Sequence, residues 1–209
     1  MKAQPQRGVN SRRPAHASVD TKVGLAELRD LGSEDIDAIV RFWYGSGDEL
    51  LDFLGIDRSL LGTVEDTRGC FLHAIPTGDP DQPNIAFAIT VNGQFAGYTL
   101  LNRYTPGINY SHWHITNPEL RASGLSTALY PYRIKTYFDA APIDRLIHQT
   151  PTRNIGVRML DWYVPVAETC YIERPDEVGL PGEFHLWYVF REDIPGLFET
   201  AKRYRATQS

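Results

Sequence analysis

Cysteine is scarce in this sequence: Cys70 and Cys170 are the only two among 209 residues. They form neither a C-x-x-C pair nor the dense set of a disulfide-stapled domain, so we expect reduced thiols in a cytoplasmic protein. The sequence also lacks any apolar run near the roughly 18 residues that a membrane span requires. These absences argue against a disulfide scaffold and a membrane protein, and they favour an ordinary globular chain.

Clusters of basic residues are missing too, except at the N-terminus. Residues 1–22 carry five basic residues and one acidic residue, 5 − 1 = +4; the total is −5, so the remainder carries −5 − 4 = −9. An acidic body argues against nucleic acid as a partner and mildly favours a cationic small molecule. The first residues also lack apolar periodicity. We therefore predict a disordered tail over 1–22 and a single domain over 23–209.

What the sequence does contain is a succession of strand and helix patterns. Asn92-Gly93 lies between two strand patterns and predicts a two-residue hairpin. The next strand pattern, a helix and a further strand form one βαβ unit, whose two strands should be parallel. The predicted elements are a strand at 23–31, helices from 33 and 48, strands at 69–75, 85–91, 94–101 and 109–116, a helix at 124–138, a strand at 143–149, a helix at 152–163 and strands at 166–172 and 184–190.

The stretch 110–139 organises the rest of the chain. It opens as a strand, passes through Arg121-Ala122-Ser123-Gly124-Leu125-Ser126, and continues as a helix. A glycine turn at a helix N-terminus favours anions, because its N–H groups are unpaired and the helix dipole adds roughly half a positive charge. The spacing Arg-x-x-Gly-x-Ser resembles the acyl-CoA pyrophosphate loop of the GNAT (GCN5-related N-acetyltransferase) superfamily.

Two further features strengthen this resemblance. The strand after the loop helix ends in His148-Gln149-Thr150, and the following helix opens with Asn154, where the family often has an asparagine. The resemblance implies an α/β (α+β) fold: a mixed, mostly antiparallel, twisted sheet with a central parallel βαβ unit and flanking helices. It also implies an acyl-CoA-dependent N-acyltransferase that uses acetyl-CoA or another acyl-CoA and no metal. The acyl group would pass to a primary amine of a small molecule by direct attack in a ternary complex, and a homodimer is compatible with this interpretation.

The same resemblance implies where the cofactor binds. The strand at 109–116 would diverge from its parallel neighbour and hold the thioester, while the loop backbone would hold the pyrophosphate. The cofactor-binding residues so implied are Ile115, Thr116, Arg121, Ala122, Ser123, Gly124, Leu125, Ser126, Thr127 and Asn154.

The catalytic groups follow the family less closely. Strand alternation puts His112 and His114 on the face that borders the acceptor pocket in the family, where a histidine with a pKa of roughly 6.5 could accept the ammonium proton. An equally plain interpretation is that both are hydrogen-bonded pocket walls. Seven residues after Asn154, the family often has a tyrosine that can protonate the leaving thiolate of CoA. This chain has Asp161 there, and Tyr163, two residues further on, is the candidate for the same role.

Two alternatives remain open from the sequence. His112, His114, Glu119 and His185 loosely match the spacing of cupin metal ligands, which would indicate a metal-dependent enzyme on a β-barrel. The helix pattern at 124–138 does not suit that fold. The other alternative is a GNAT-like module that binds acyl-CoA without turnover, which the missing tyrosine makes harder to dismiss.

Overall fold

The computed structural model describes residues 13–208 except 174, 176 and 177. Eight strands form one mixed sheet. They are β1 Ala15–Thr21, β2 Gly24–Asp30, β3 Asn84–Val91, β4 Gln94–Thr105, β5 Ile108–Ile115, β6 Arg145–Pro151, β7 Glu168–Ile172 and β8 Gly182–Phe190. Their order across the sheet is β1-β2-β3-β4-β5-β6-β8-β7. All neighbours are antiparallel except β5 and β6, so the predicted fold class and the parallel βαβ unit are confirmed.

Helices cover both faces of the sheet. They are α1 Ile36–Gly45, α2 Asp48–Leu54, α3 Val64–His73, α4 Leu125–Ala140 and α5 Ile194–Gln208. One apolar cluster contains Ile134 of α4 and Leu197 of α5, and a second contains Ile39 of α1 and Phe71 of α3. The sheet therefore separates two cores. Within the described ranges, no helix has the length and apolar character needed to cross a membrane.

The centre of the sheet is where β5 meets β6. Only three residue pairs join the two strands, and the last is Tyr110 with Ile147. Beyond it β5 continues beside β4 through Ile115, while β6 continues beside β8 through Pro151. The two parallel strands therefore diverge and leave a gap at their carboxyl ends, as the family resemblance implied.

The hairpin prediction at Asn92-Gly93 is also confirmed. The two residues have φ values of 51° and 79°, in the left-handed region that a tight turn between antiparallel strands requires. Pro131 lies inside α4 without ending it.

Three sequence predictions need correction. Residues 15–21 of the predicted tail form β1, which pairs with β2 at the sheet edge; only Val19 of this strand is buried, so it carries no apolar periodicity. The rest of that prediction, residues 1–12, lies outside the described residues. Residues 69–73 belong to a helix rather than a strand, because Thr63 and Asp66 form a capping box that starts α3. The segment Ile155–Trp162 is a 3-10 helix rather than an α-helix.

Candidate active site

The loop between β5 and α4 has an unusual backbone. Ala122 and Gly124 both have positive φ, at 56° and 82°. Left-handed backbone is uncommon for alanine, and strain of this kind tends to occur at functional sites. Ser123 donates a hydrogen bond to the carbonyl of Leu120 at 2.7 Å, which fixes the turn. Gly124 occupies the N-cap position, so α4 begins without a side-chain cap from that residue.

Arg121 precedes this turn and is exposed. Its Nε donates to the carbonyl of Ile115 at 3.2 Å, and its guanidinium lies 5.8 Å from the ring centre of Phe42. The Arg121 side chain therefore links the end of β5 to α1. The Leu125 N–H at the start of α4 donates to the Ser123 hydroxyl oxygen at 3.4 Å. The other N–H groups of this first turn and the guanidinium together place positive charge beside the loop.

His112 and His114 lie on the same face of β5, as alternation predicted. Their rings are parallel to within 16°, with centroids 6.5 Å apart. His114 packs against the rings of Trp43, Tyr98 and Phe42 at 4.9, 5.3 and 5.6 Å. Burial, together with the smaller effects of the nearby His112 and Arg121, lowers the pKa of His114 to about 3. His114 is therefore neutral near pH 7 and is a weak base.

Under His114 the indole of Trp43 donates to the hydroxyl of Tyr98 at 2.9 Å. Both residues are buried, which holds the ring cluster in one arrangement. Sequence reasoning did not connect Trp43 and Tyr98 with the histidines. Trp43 belongs to the helix predicted from residue 33, and no sequence signal identifies which strand it contacts.

Asn154 is 6% exposed and follows β6, on the far side of the gap. Its backbone N–H donates to the carbonyl of Pro151 at 2.9 Å, and its Nδ2 lies 3.5 Å from the hydroxyl oxygen of Thr150. Both contacts are local. Asn154 is therefore held at the end of β6, opposite the end of β5 where Ile115 and Thr116 lie.

Tyr163 and Asp161 are already engaged by other groups. The Tyr163 hydroxyl donates to the backbone carbonyl of Thr127, in the first turn of α4, at 2.6 Å. Asp161 accepts from the indole of Trp187 at 3.2 Å and pairs with Arg158 at 3.2 Å. The carboxylate at position 161 thus has structural partners, while Tyr163 contacts the predicted cofactor loop.

A cleft of about 420 Å³ opens beside the loop. Its walls come from α1, from α2 and the turn before it, and from the segment after β5. The lining residues are Ala38, Arg41, Phe42, Gly45, Ser46, Leu50, Thr116, Pro118 and Arg121. Two guanidiniums and no carboxylate belong to this lining, so the cleft is locally positive although the body of the chain is acidic. Arg41 was not predicted, because an exposed helix arginine has no distinctive sequence pattern.

The cupin alternative is wrong. The sheet is open, with edge strands β1 and β7, and β5 is followed by a helix. His185 contacts Thr169 through its Nδ1 at 2.9 Å, and Glu119 is exposed on the turn after β5. Over the part of the chain that the structure describes, no three His, Cys, Asp or Glu side chains form a group that could hold a metal ion.

Comparison with known proteins gives matches only at the level of structure. No family model and no curated protein sequence matches the chain. RimJ from Mycobacterium smegmatis, in complex with CoA-disulfide, is similar with a TM-score of 0.67 at 19% identity over 92% of this chain and 93% of that one.

Two other solved structures extend the comparison. The aminoglycoside acetyltransferase AAC(6')-Ib, in complex with coenzyme A, has a TM-score of 0.59 at 14% identity over 82% of this chain and 98% of that one. RimL, a ribosomal L7/L12 alpha-N-protein acetyltransferase in complex with coenzyme A, has a TM-score of 0.63 at 12% identity over 85% and 98%. Identities this low establish the fold alone. The chain has the fold of the GNAT acetyltransferases.

Proposed function

We propose that this protein is an acyl-CoA-dependent N-acyltransferase that acylates a primary amine of a small molecule. The observation that carries the proposal is the pairing of two features along one strand. β5 diverges from β6 over its second half, and it leads directly into a turn at the N-terminus of α4. A thioester arm in the gap and a pyrophosphate at the turn would be joined in one extended ligand. The coenzyme A complexes of RimL and AAC(6')-Ib support this assignment.

The cofactor residues of the proposal lie along that path. Backbone N–H groups from Ala122 to Thr127 hold the pyrophosphate, and Arg121 adds a positive charge. Backbone groups near Ile115 and Thr116 hold the thioester and donate to its carbonyl oxygen as charge develops. Asn154 borders the same gap from β6.

The reaction is direct attack within a ternary complex. The amine nitrogen attacks the thioester carbonyl carbon, the carbon–sulfur bond breaks, and coenzyme A leaves as the thiol after taking up a proton. Of the two strand histidines we assign the role of general base to His112. His114, with a pKa of about 3, is too weak a base to take the proton from the amine near pH 7. Tyr163 then positions α4 through Thr127, and it serves as the acid only if that hydrogen bond breaks.

The acceptor is the less constrained half of the proposal. AAC(6')-Ib is named for a small molecule and RimL for a protein N-terminus, so the fold serves both kinds of acceptor. A cleft of about 420 Å³ is in the size range of small-molecule sites. We therefore propose a small amine in this cleft, and we assign Arg121, one of its lining residues, to the phosphates of the cofactor.

A second candidate, an acyl-CoA-binding module without turnover, is favoured by one observation. Asp161 replaces the family's tyrosine and is held by Trp187 and Arg158, while Tyr163 is bonded to a backbone carbonyl. Neither group is free to protonate a thiolate in this arrangement. This candidate shares the cofactor site with the first and differs only in chemistry.

Thermal unfolding with acetyl-CoA tests the cofactor site. Saturation at a hundred times Kd adds about 2.7 kcal/mol to the free energy of unfolding, which for a chain of this length is a rise in Tm of about 5–10 °C. Gly124→Glu should abolish that rise, because it puts a carboxylate at the phosphate site. If wild type shows no rise with any acyl-CoA, both candidates fail.

Thiol release across a panel of amines then separates the two candidates. Amine-dependent release supports the enzyme, and binding without release for every amine supports the module. Tyr163→Phe sharpens the result: loss of positioning should raise KM for acyl-CoA more than it lowers kcat. A fall in kcat with unchanged KM would instead assign the acid to Tyr163.

A further inference from the structure

Arg133 of α4 is a charged residue in the core of the molecule. Only 2% of its surface is exposed. Its guanidinium carbon lies 3.9 Å from the ring centre of Trp113 on β5 and 5.2 Å from that of Tyr130. Trp113 alternates with His112 and His114, so Arg133 lies on the face of the sheet opposite the two histidines.

The guanidinium of Arg133 lacks the partners that a buried charge requires. Its Nε and Nη2 are fully buried and have no hydrogen-bond acceptor among the described residues. No described carboxylate forms an ion pair with the Arg133 guanidinium. Burial lowers the pKa of Arg133, and the nearby hydroxyls of Tyr137, Tyr130 and Tyr163 raise it. Arginine remains charged in proteins, so an unpaired buried guanidinium is costly unless an acceptor reaches it.

A second buried side chain with a polar nitrogen lies beside the first. His148 of β6 is 1% exposed, and its Nε2 contacts the Tyr130 hydroxyl at 3.1 Å. Its Nδ1 has no hydrogen bond of standard geometry within the described part of the chain, although the backbone of Ser111 on β5 is close enough to act on the His148 pKa. The rings of His148 and Trp113 are 5.5 Å apart, edge to face. Trp113 and His148 follow the last paired residues of β5 and β6. The two unpaired nitrogens of Arg133 and the His148 ring therefore lie on the α4 side of the strand gap, where the proposed thioester arm would run.

We propose that Arg133, with His148 beside it, forms a carboxylate-binding subsite on the α4 side of the strand gap. The acyl donor then carries a terminal carboxylate, as in a CoA monothioester of a dicarboxylic acid. This inference rests on the proposed function. The planar guanidinium can donate to both oxygens of a carboxylate. The aromatic rings of Trp113 and Tyr130 would exclude water from this ion pair. In the transfer, the amine nitrogen bonds to the thioester carbon and the carbon–sulfur bond breaks. The released thiolate takes the proton that the amine loses, and the terminal carboxylate stays ionised on Arg133.

The donor series acetyl-CoA, butyryl-CoA and succinyl-CoA tests the subsite. Butyryl and succinyl groups have similar length and differ by the terminal carboxylate. With an amine that carries no carboxylate, we expect kcat/KM for succinyl-CoA to exceed that for butyryl-CoA by at least 100-fold. Arg133→Gln should reduce this ratio to near one, and Arg133→Lys should retain part of it. Lys135→Gln, an exposed substitution on the same helix, should leave the ratio unchanged.

The remaining outcomes each decide something. Equal use of the three donors, together with indifference to a carboxylate on the acceptor, overturns the subsite while the proposed function survives. If instead the enzyme prefers only acceptors that carry a carboxylate, and Arg133→Gln loses this preference, the subsite is retained but it binds the acceptor rather than the acyl donor. If no acyl-CoA binds, the proposed function fails; succinate must then raise the Tm of wild type but not of Arg133→Gln, or the subsite fails too. If Arg133→Gln does not fold, a succinyl-to-butyryl ratio of Arg133→Lys below that of wild type supports the subsite, and an unchanged ratio overturns it.

Discussion

Gly97 of β4 faces His114 of β5 so closely that a Cβ atom at position 97 would overlap the His114 carbonyl oxygen and stand 3.0 Å from the Cα of Ile115. The contact lies on the strand that leads to the candidate active site. Backbone atoms form the obstacle, so no side-chain rotation can relieve the overlap. Gly97 therefore sets how near β4 approaches the second half of β5.

Gly97→Ala should consequently lower the free energy of unfolding by about 1–3 kcal/mol, as overpacking does in a tight core. The measurement is chemical denaturation. Gly69→Ala is the control, because Gly69 lies in α3 with no atom within 4 Å of an added Cβ. Alanine there should stabilise the helix by about 0.5–1 kcal/mol. Equal effects of the two substitutions would contradict the close approach of β4 and β5.

The loop before α4 offers a pair of opposite substitutions. Ala122 has φ 56° and Gly124 has φ 82°. Left-handed backbone costs a residue with a Cβ roughly 1–2 kcal/mol. Ala122→Gly should therefore raise the free energy of unfolding by up to about 1 kcal/mol after the entropy cost of glycine, and Gly124→Ala should lower it by about 1–2 kcal/mol. Urea unfolding of both variants checks the two signs, and a stabilising Gly124→Ala would disprove the loop conformation.

The depressed pKa of His114 predicts how stability depends on pH. An unfolded imidazole binds a proton below roughly pH 6.5, whereas native His114 stays neutral down to about pH 3. Stability is thus fully present above pH 6.5 and is lost as the pH falls, with a slope of about 1.4 kcal/mol per pH unit for each such proton. The charges facing His114 are His112 and Arg121, and the phenol of Tyr98 packs on its other side.

Between pH 4 and 6, His114→Gln should reduce the slope of the free energy of unfolding against pH by about 1.4 kcal/mol per pH unit, which is the contribution of one proton. Buried His148, whose pKa burial also lowers, is present in both proteins and keeps part of the slope in each. Above pH 7 the slopes of wild type and variant should coincide, which serves as the internal control. Identical slopes at acidic pH would mean that His114 takes up its proton in the native state.

The start of α1 depends on a buried ion pair. Arg29 donates to both oxygens of Asp35 at 2.7 and 2.8 Å, and Asp35 also accepts from the Gly32 N–H at 2.8 Å. Asp35→Ala should cost about 1.5–3 kcal/mol, because it removes charge-assisted hydrogen bonds from the partly buried guanidinium, which keeps only its bond to the Asp30 carbonyl at 2.9 Å among the described groups. Asp37→Ala, which breaks an exposed pair with Arg68, should cost less than about 1 kcal/mol. Similar losses in the two variants would contradict this contrast in burial.

Local patterns were sufficient to predict much of the fold and of the cofactor loop. The hairpin at Asn92-Gly93 and the βαβ unit each depend on neighbouring residues, and so does the turn at Gly124. Strand β1 and helix α5 were not predicted, because few of their side chains are buried where burial is described: Val19 in the first, and Leu197 and Ala201 in the second. Elements that lie on the surface do not need a regular apolar pattern.

The parts of the site that depend on long-range packing were not predicted. An arginine two turns into a helix ordinarily indicates a solvent-exposed face, and the contact of Arg133 with Trp113 on β5 has no signal in the sequence. The weak basicity of His114 likewise arises from α1 and β4, which are distant in sequence. Spacing along one strand indicates which side chains share a face, but it does not determine what covers them.

The short ladder between β5 and β6 has a mechanical consequence. Five strands lie on one side of it and three on the other, and only three residue pairs connect these halves. This is the shortest ladder in the sheet. The connection between the two halves therefore also depends on α4, which connects β5 to β6 and packs against α5, and on the apolar cluster that α4 shares with both halves.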